Sequence, residues 1–229
     1  MVANPVLENL RQQIYGLEDA RRRFSRTVPV ANEIDRCLPY GGLSTGCIHE
    51  VKSASLASAL AFSTILSARV AEDQGNILYI APDRSLCPLG LLPYGVKLNQ
   101  ILHVCTRRPQ DLRWAVMEAL RCLQVRSVVA LINDLDLTES RRLQLASEHS
   151  GATGFLVGSA TVASIAAPVT RWRISPVRGG SGQRFDEPVW SVDLLYSRGG
   201  RPGKWTLEWR EQKLITIPAV PVQRQALAG

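Results

Sequence analysis

A lysine–serine pair at the end of a buried strand is the first place where this sequence could do chemistry. Lys52 and Ser53 follow the predicted buried strand Cys47 to Val51 and precede a long apolar segment that predicts a helix. In a nucleotide-binding loop of the form G-x-x-x-x-G-K-[ST], such a pair contacts the phosphates and their magnesium ion. Here the loop from Lys52 to Ser55 has no glycine and is several residues shorter than that pattern.

The missing glycines matter because a phosphate cradle requires consecutive N–H groups turned inward, which usually needs glycine at positive φ. The sequence therefore predicts the frame of a nucleotide-binding α/β domain without its phosphate site, with Lys52 and Ser53 as remnants. Another remnant is Asp134, which follows the apolar strand Ser127 to Ile132, where a carboxylate could hold magnesium through water. Without bound phosphates that ion has little to hold it. We expect no catalytic residue, no cofactor and no ATP hydrolysis.

Two Cys–His pairs form a candidate metal site. Cys47 and His49 stand two apart on one predicted strand, and His103 and Cys105 do so on another. These four ligands could bind a metal ion if the strands were neighbours, but buried cysteine also packs as a small apolar residue. We expect core packing and no metal. The five scattered cysteines and the lack of an apolar signal core favour the cytoplasm, without a membrane span.

Basic residues concentrate in the last third of the chain. Positions 166–229 carry 10 Lys and Arg against 5 Asp and Glu, within a chain of net charge +7. The candidate binding cations there are Arg171, Arg173, Arg198, Arg201 and Lys204. They could contact DNA or a negatively charged protein surface. The alternative is ordinary sheet packing, with Trp205 and Trp209 in the core and the arginines facing solvent.

The order of predicted elements indicates an α/β fold. Strands and helices alternate to about residue 165, which predicts a mostly parallel central sheet with helices on both faces. Three later strand-like runs predict an antiparallel C-terminal extension. We divide the chain into an N-terminal amphipathic helix with a basic linker (1–27), a core that lacks a phosphate-binding loop (28–212) and a flexible tail (213–229).

Several stretches carry a family resemblance. They are LPYGGLSTGCIHEV, EALRCLQVRSVVALI, DLTESRRLQLASEHSG, TRWRISP and SRGGRPGKWTLEW, which together span most of residues 28–210. In these the chain resembles the ImuA family, RecA- and SulA-related proteins of bacterial SOS mutagenesis cassettes. The resemblance implies a RecA-like core. It places Asp83 nearest to the catalytic glutamate of RecA, and Asp134 or Asp136 near the magnesium-side carboxylate.

The resemblance also implies a role. ImuA acts with ImuB, a Y-family polymerase relative without catalytic activity, and with an error-prone C-family polymerase. We therefore expect a non-catalytic accessory protein of translesion DNA synthesis that binds an ImuB-like partner, and contact with RecA or weak contact with DNA is compatible with this role. Two alternatives stay open. One is a DNA-stimulated ATPase of the recombinase type, which needs the phosphate cradle, and the other is a SulA-like inhibitor of cell division, although SulA-type proteins are typically shorter.

Overall fold

The computed structural model describes residues 26–73, 75–84, 86–133, 135–162, 167–177 and 187–218, and most of their strands form one nine-stranded sheet. A separate two-stranded sheet pairs β1 (Thr27–Val28) with β2 (Leu43–Ser44). The strands of the large sheet are β3 (Ile48–Ser53), β4 (Asn76–Ala81), β5 (Ile101–Cys105), β6 (Val125–Leu131), β7 (Thr153–Ser159), β8 (Thr170–Val177), β9 (Val189–Ser197), β10 (Gly203–Arg210) and β11 (Lys213–Ile217). Their order across the sheet is β11-β10-β9-β8-β3-β7-β6-β4-β5.

The large sheet has a parallel part and an antiparallel part. Strands β5, β4, β6, β7, β3 and β8 pair in parallel. Strands β9, β10 and β11 continue the sheet in antiparallel pairing from β8. The inner parallel strands are apolar because both of their faces are covered, as in β6, where Val128, Val129 and Ala130 are all buried. This confirms the mostly parallel sheet with an antiparallel C-terminal extension.

Helices cover both faces of the parallel part. They are α1 (Asn32–Asp35), α2 (Leu56–Ala71), α3 (Pro109–Arg121) and α4 (Leu137–Ser150), with 3-10 turns at Pro39–Gly41, Pro88–Tyr94 and Leu98–Gln100. On one face, Phe62 of α2 packs in a core with Val51 and Trp172. On the other face, Val116 of α3 and Leu143 of α4 pack in a second core with strand residues. In the part of the chain described, no helix is long and apolar enough to span a membrane.

The sequence predicts the wrong orientation for two leucines and the wrong capping residue for one helix. The helical spacing of apolar residues predicts that Leu123 and Leu145 face inward, but they are 70% and 64% exposed. Leu123 follows the end of α3, and Leu145 lies two residues after buried Leu143, so it points to the opposite side of α4. The sequence also predicts that Thr138 caps this helix, but the N-cap of α4 is Asp136. The N-terminal helix predicted within residues 1–27 falls outside the described residues.

The predicted tail and the predicted N-terminal loop are partly structured. Residues 213–217, assigned by sequence to a flexible tail, form β11, because Leu214 is buried opposite Trp209 and a tight turn at Glu211 and Gln212 returns the chain. The prolines and glycines of residues 28–46 predict a loop, but this stretch contains α1 and β2 and contributes to β1. Their apolar side chains Ile34 and Leu43 are fully buried in the core on the α2 side.

Candidate functional site

The connection between β3 and α2 is where a phosphate cradle would lie. The strand extends through Ser53, so Lys52 and Ser53 belong to β3 and not to the predicted loop, which leaves Ala54 and Ser55 as the connection. Both serine side chains serve the local backbone: Ser53 Oγ accepts a hydrogen bond from the Ser55 N–H at 2.9 Å, and Ser55 Oγ accepts one from the Ser58 N–H at 3.4 Å. Ser55 therefore caps α2 in the ordinary way. A connection of two residues is too short to wrap a phosphate group.

Lys52 is held by a buried carboxylate. It is 7% exposed, and its Nζ lies 3.6 Å from Glu50 Oε1 on the same face of β3. Glu50 Oε2 also accepts a hydrogen bond from Arg171 Nε of the neighbouring strand β8 at 2.5 Å. The amine has room here because residue 158 is glycine: a Cβ at Gly158 would stand 3.1 Å from Lys52 Nζ and 2.5 Å from Asn133 Oδ1. Lys52 therefore lies along the sheet face.

Glu50 is not among the site residues predicted from the sequence. Its signal is a carboxylate inside the predicted buried strand Cys47 to Val51, combined with an arginine in the predicted strand Val169 to Ser175. A buried carboxylate at 4% exposure requires cations beside it, since an isolated charge in an apolar interior costs several kcal/mol. Glu50, Lys52 and Arg171 form such a group, which we call the β3–β8 ion cluster.

Asp136, one of the two predicted magnesium-side carboxylates, serves the N-terminus of α4. Asp136 caps α4: its Oδ1 accepts from the Glu139 N–H at 2.6 Å, while Glu139 Oε2 accepts from the Asp136 N–H at 3.1 Å. Asp83 is exposed after β4. Asp134 lies outside the described residues. A cavity of about 620 Å³ opens at the opposite edge of the sheet, where Asn76 begins β4, and Arg26, Gln124 and Arg126 help to line it.

The structure separates the two Cys–His pairs. Cys47 and His49 are on the β3 side of the sheet, whereas His103 and Cys105 lie on β5, with β7, β6 and β4 between these strands. His49 is instead a core side chain that stacks on Phe155 with ring centroids 5.3 Å apart. Among the residues described, no three His, Cys, Asp or Glu side chains are grouped to hold a metal ion.

The hydrogen bonds of His49 assign its tautomer. The Ser44 carbonyl oxygen, 2.8 Å from Nε2, can only accept, so Nε2 carries the hydrogen. Nδ1 then accepts from the Thr170 hydroxyl at 2.7 Å, and the same hydroxyl oxygen accepts from Trp172 Nε1–H at 2.7 Å. The ring is thus buried as a neutral imidazole. Burial lowers the pKa of His49 from 6.5 to about 4.

This pKa predicts a loss of stability in acid. The unfolded chain binds a proton at His49 near pH 6.5, and the folded chain does so only near pH 4, so the folded state loses stability as the pH falls through that window. We expect the free energy of unfolding to drop by about 3 kcal/mol from this group. Urea unfolding at neutral and at acid pH measures the drop. His49→Gln should flatten it, with His149→Gln, exposed on α4, as the control; an unchanged slope in His49→Gln would contradict the assignment.

Three of the candidate cations line up where the antiparallel extension begins, two on β8 and one on β10. Arg173 of β8 registers with Asp193 of β9, and Asp193 registers with Lys204 of β10. Arg171 is two residues before Arg173 on the same face and registers with Tyr196. We call these five residues the basic face. Arg173 and Tyr196 are exposed, the Lys204 side chain is 71% exposed, and Lys204 Nζ pairs with Asp193 Oδ1 at 3.3 Å.

The other two candidates sit in the hairpin between β9 and β10. The N–H of Arg201 donates to the Cys37 carbonyl at 2.8 Å, so this loop packs on the chain after α1. A Cβ at Gly200 would stand 2.5 Å from that carbonyl oxygen, which explains the glycine by packing. Arg198 is half-buried and Arg201 is exposed. Trp209 is buried, and Trp205 packs against the core on the α2 side, so the alternative interpretation of ordinary sheet packing is confirmed for the tryptophans.

Comparison with known proteins adds an independent result. The chain is 34% identical over 197 residues to Protein ImuA of Caulobacter vibrioides strain NA1000 / CB15N, and equally to Protein ImuA of strain ATCC 19089 / CIP 103742 / CB 15. Each alignment covers 78% of this chain and 81% of the relative. A scan against models of known protein families finds no match.

Proposed function

The chain belongs to the ImuA family, and from this premise we propose that it is a non-catalytic accessory protein of SOS-induced translesion DNA synthesis and mutagenesis. In this proposal the fold is a RecA-like core that no longer turns over ATP. It serves as a scaffold for an ImuB-like partner and an error-prone C-family polymerase in the cytoplasm, and RecA is a further candidate partner.

The β3–β8 ion cluster is the observation that carries this proposal. A lysine that serves phosphates must reach them from the loop, and the loop backbone must supply N–H groups around them. Here Glu50 already neutralises Lys52, at 3.6 Å, and the connection offers only Ala54 and Ser55. Moving Lys52 toward a phosphate would leave the buried carboxylate with Arg171 as its remaining cation in the cluster. Nucleotide binding would thus break the buried interaction between Lys52 and Glu50, and the short connection would supply too few N–H groups to the phosphates in return.

The architecture is compatible with a RecA-like core. Six strands pair in parallel, helices cover both faces, and three antiparallel strands follow. The edge at which a nucleotide would sit in such a core is the carboxyl end of the parallel strands. That edge holds the short β3–α2 connection and the cap of α4, both of which are occupied by local hydrogen bonds.

The proposal predicts that nucleotide does not stabilise the protein. At about 1 mM ATP with magnesium, a site of micromolar affinity would add several kcal/mol to the free energy of unfolding and raise Tm by many degrees. We expect a shift below about 1 °C, with or without single-stranded DNA. The measurement is thermal unfolding combined with an assay for phosphate release. A clear shift in the wild type that Lys52→Met removes would identify a recombinase-type ATPase instead.

A mutagenesis assay tests the role itself. In a bacterial strain that lacks this gene, damage-induced mutation should be restored by the wild-type gene and equally by Lys52→Met, because the lysine has no catalytic task. Lys52→Met should fold, since Glu50 keeps its bond to Arg171. Restoration by neither gene, despite normal protein levels, would reject the accessory role. Failure of Lys52→Met alone would reject the non-catalytic scaffold.

A further inference from the structure

We propose that the basic face binds single-stranded DNA, with phosphates against its cations and a base stacked on Tyr196. The face lies on the side of β8, β9 and β10 that is turned away from α2, since Trp172 and Ile174 of β8 point to the α2 side. It contains three cations and one carboxylate.

The strand register places charged side chains of this face in one row across three strands. Arg173, Asp193 and Lys204 occupy adjacent strands, each about 4.8 Å from the next. Asp193 offsets Lys204, but in the described part of the chain no carboxylate pairs with Arg173. Arg171 forms an ion pair with Glu50, and Lys52 offsets part of the negative charge of that carboxylate. The row therefore keeps a positive excess that a polyanion can neutralise, releasing bound counterions.

The exposed ring of Tyr196 favours single-stranded DNA over an acidic protein as the ligand of this face. Its side chain is 42% exposed and lies in register with Arg171, which gives an accessible ring beside a cation. An unpaired base can stack on such a ring, whereas a base within a duplex has its faces covered. The next row, Ser175 and Ser191, supplies hydroxyl groups that can donate to phosphate oxygens.

The large apolar residues of the same strands point the other way. Trp172, Trp190 and Trp209 are at most 4% exposed, in the core on the α2 side. A protein partner usually needs apolar or aromatic anchors that fill a pocket. The basic face offers cations, hydroxyl groups and one ring, which matches a nucleic-acid strand better than a protein surface.

Fluorescence anisotropy with a labelled oligothymidylate and the full-length protein tests this proposal. At about 50 mM salt we expect a Kd on the order of 10 µM, which weakens as salt rises. The double variant Arg173→Glu/Lys204→Glu should lose at least about tenfold in affinity. Arg36→Glu is the matched control, since Arg36 is exposed beside α1, whose Ile34 packs in the core on the α2 side. The control should stay within about twofold of wild type.

Tyr196→Ala separates stacking from charge. We expect it to weaken oligothymidylate binding by roughly fivefold and to leave any binding to duplex DNA unchanged. Absence of binding at low salt, or equal losses in Arg36→Glu and the double variant, would overturn the proposal. So would equal or tighter binding of a polyglutamate peptide, which would assign the face to an acidic protein. The proposal goes beyond the accessory role, because a protein without part in mutagenesis would give the same anisotropy result.

Discussion

Replacing Glu50 with alanine is expected to lower the free energy of unfolding by about 4 kcal/mol. The side chains of Glu50 and Lys52 are 5% and 9% exposed, and that of Arg171 is 27% exposed. Removing the carboxylate takes a buried counter-charge from both Lys52 and Arg171, so the desolvation penalty of these cations is less well offset. Urea unfolding followed by circular dichroism measures the loss.

The matched control is Glu208→Ala on the same sheet. Glu208 pairs with Arg210 at 3.5 Å, but the arginine side chain is 46% exposed, so we expect a loss below about 1 kcal/mol. The double variant Glu50→Ala/Lys52→Met should recover part of the loss, since it removes one unpaired cation together with the carboxylate. If Glu50→Ala cost no more than Glu208→Ala, the ion cluster would not hold Lys52, and this lysine would no longer be kept from a nucleotide.

The sequence predicts elements well where one chemical pattern is sufficient. The sequence predicts strands from Asn76 to Ala81 and from Ile101 to Cys105, and these bounds equal those of β4 and β5, because each mostly apolar run leads into a polar or proline-containing segment. The spacing of apolar residues predicts helices at about 55–72, 111–124 and 138–149, within three residues of α2, α3 and α4, whereas α1 lies in a stretch predicted as a loop. Leu123 and Leu145 are the exceptions, since Leu123 follows the end of α3 and Leu145 lies on the side of α4 opposite buried Leu143.

The candidate site depends on which strands are neighbours, and no local pattern contains that information. Glu50 and Arg171 are separated by 121 residues and meet because β8 returns to pair with β3. The direction of Lys52 depends on Gly158 in yet another strand, β7. Arg171, Arg173 and Lys204 were predicted as candidates from composition, but only the register separates them from Arg198 and Arg201. Asp83 and Asp134 remain predictions for the same edge of the sheet.

Trp172→Ala is the second large effect that we expect, with a loss of about 4 kcal/mol in the free energy of unfolding. Trp172 is fully buried, its ring lies 5.6 Å from that of Phe62 on α2, and its Nε1–H donates to Thr170 Oγ1. Alanine would leave a cavity between β8 and α2 and remove one donor from the hydroxyl that supports neutral His49. Denaturant unfolding by circular dichroism provides the measurement.

The matched control is Trp114→Ala, because Trp114 is 68% exposed on α3, and its loss should be within about 0.5 kcal/mol. Trp172→Phe should fall between the two, since it keeps much of the volume and loses the hydrogen bond. A loss below about 1 kcal/mol for Trp172→Ala would mean that the α2 side of β8 is not a packed core. Side chains of β8 would then not alternate between the α2 side and the opposite face. Arg171 and Arg173 would in that case not lie on the opposite face, where the proposed DNA contacts are.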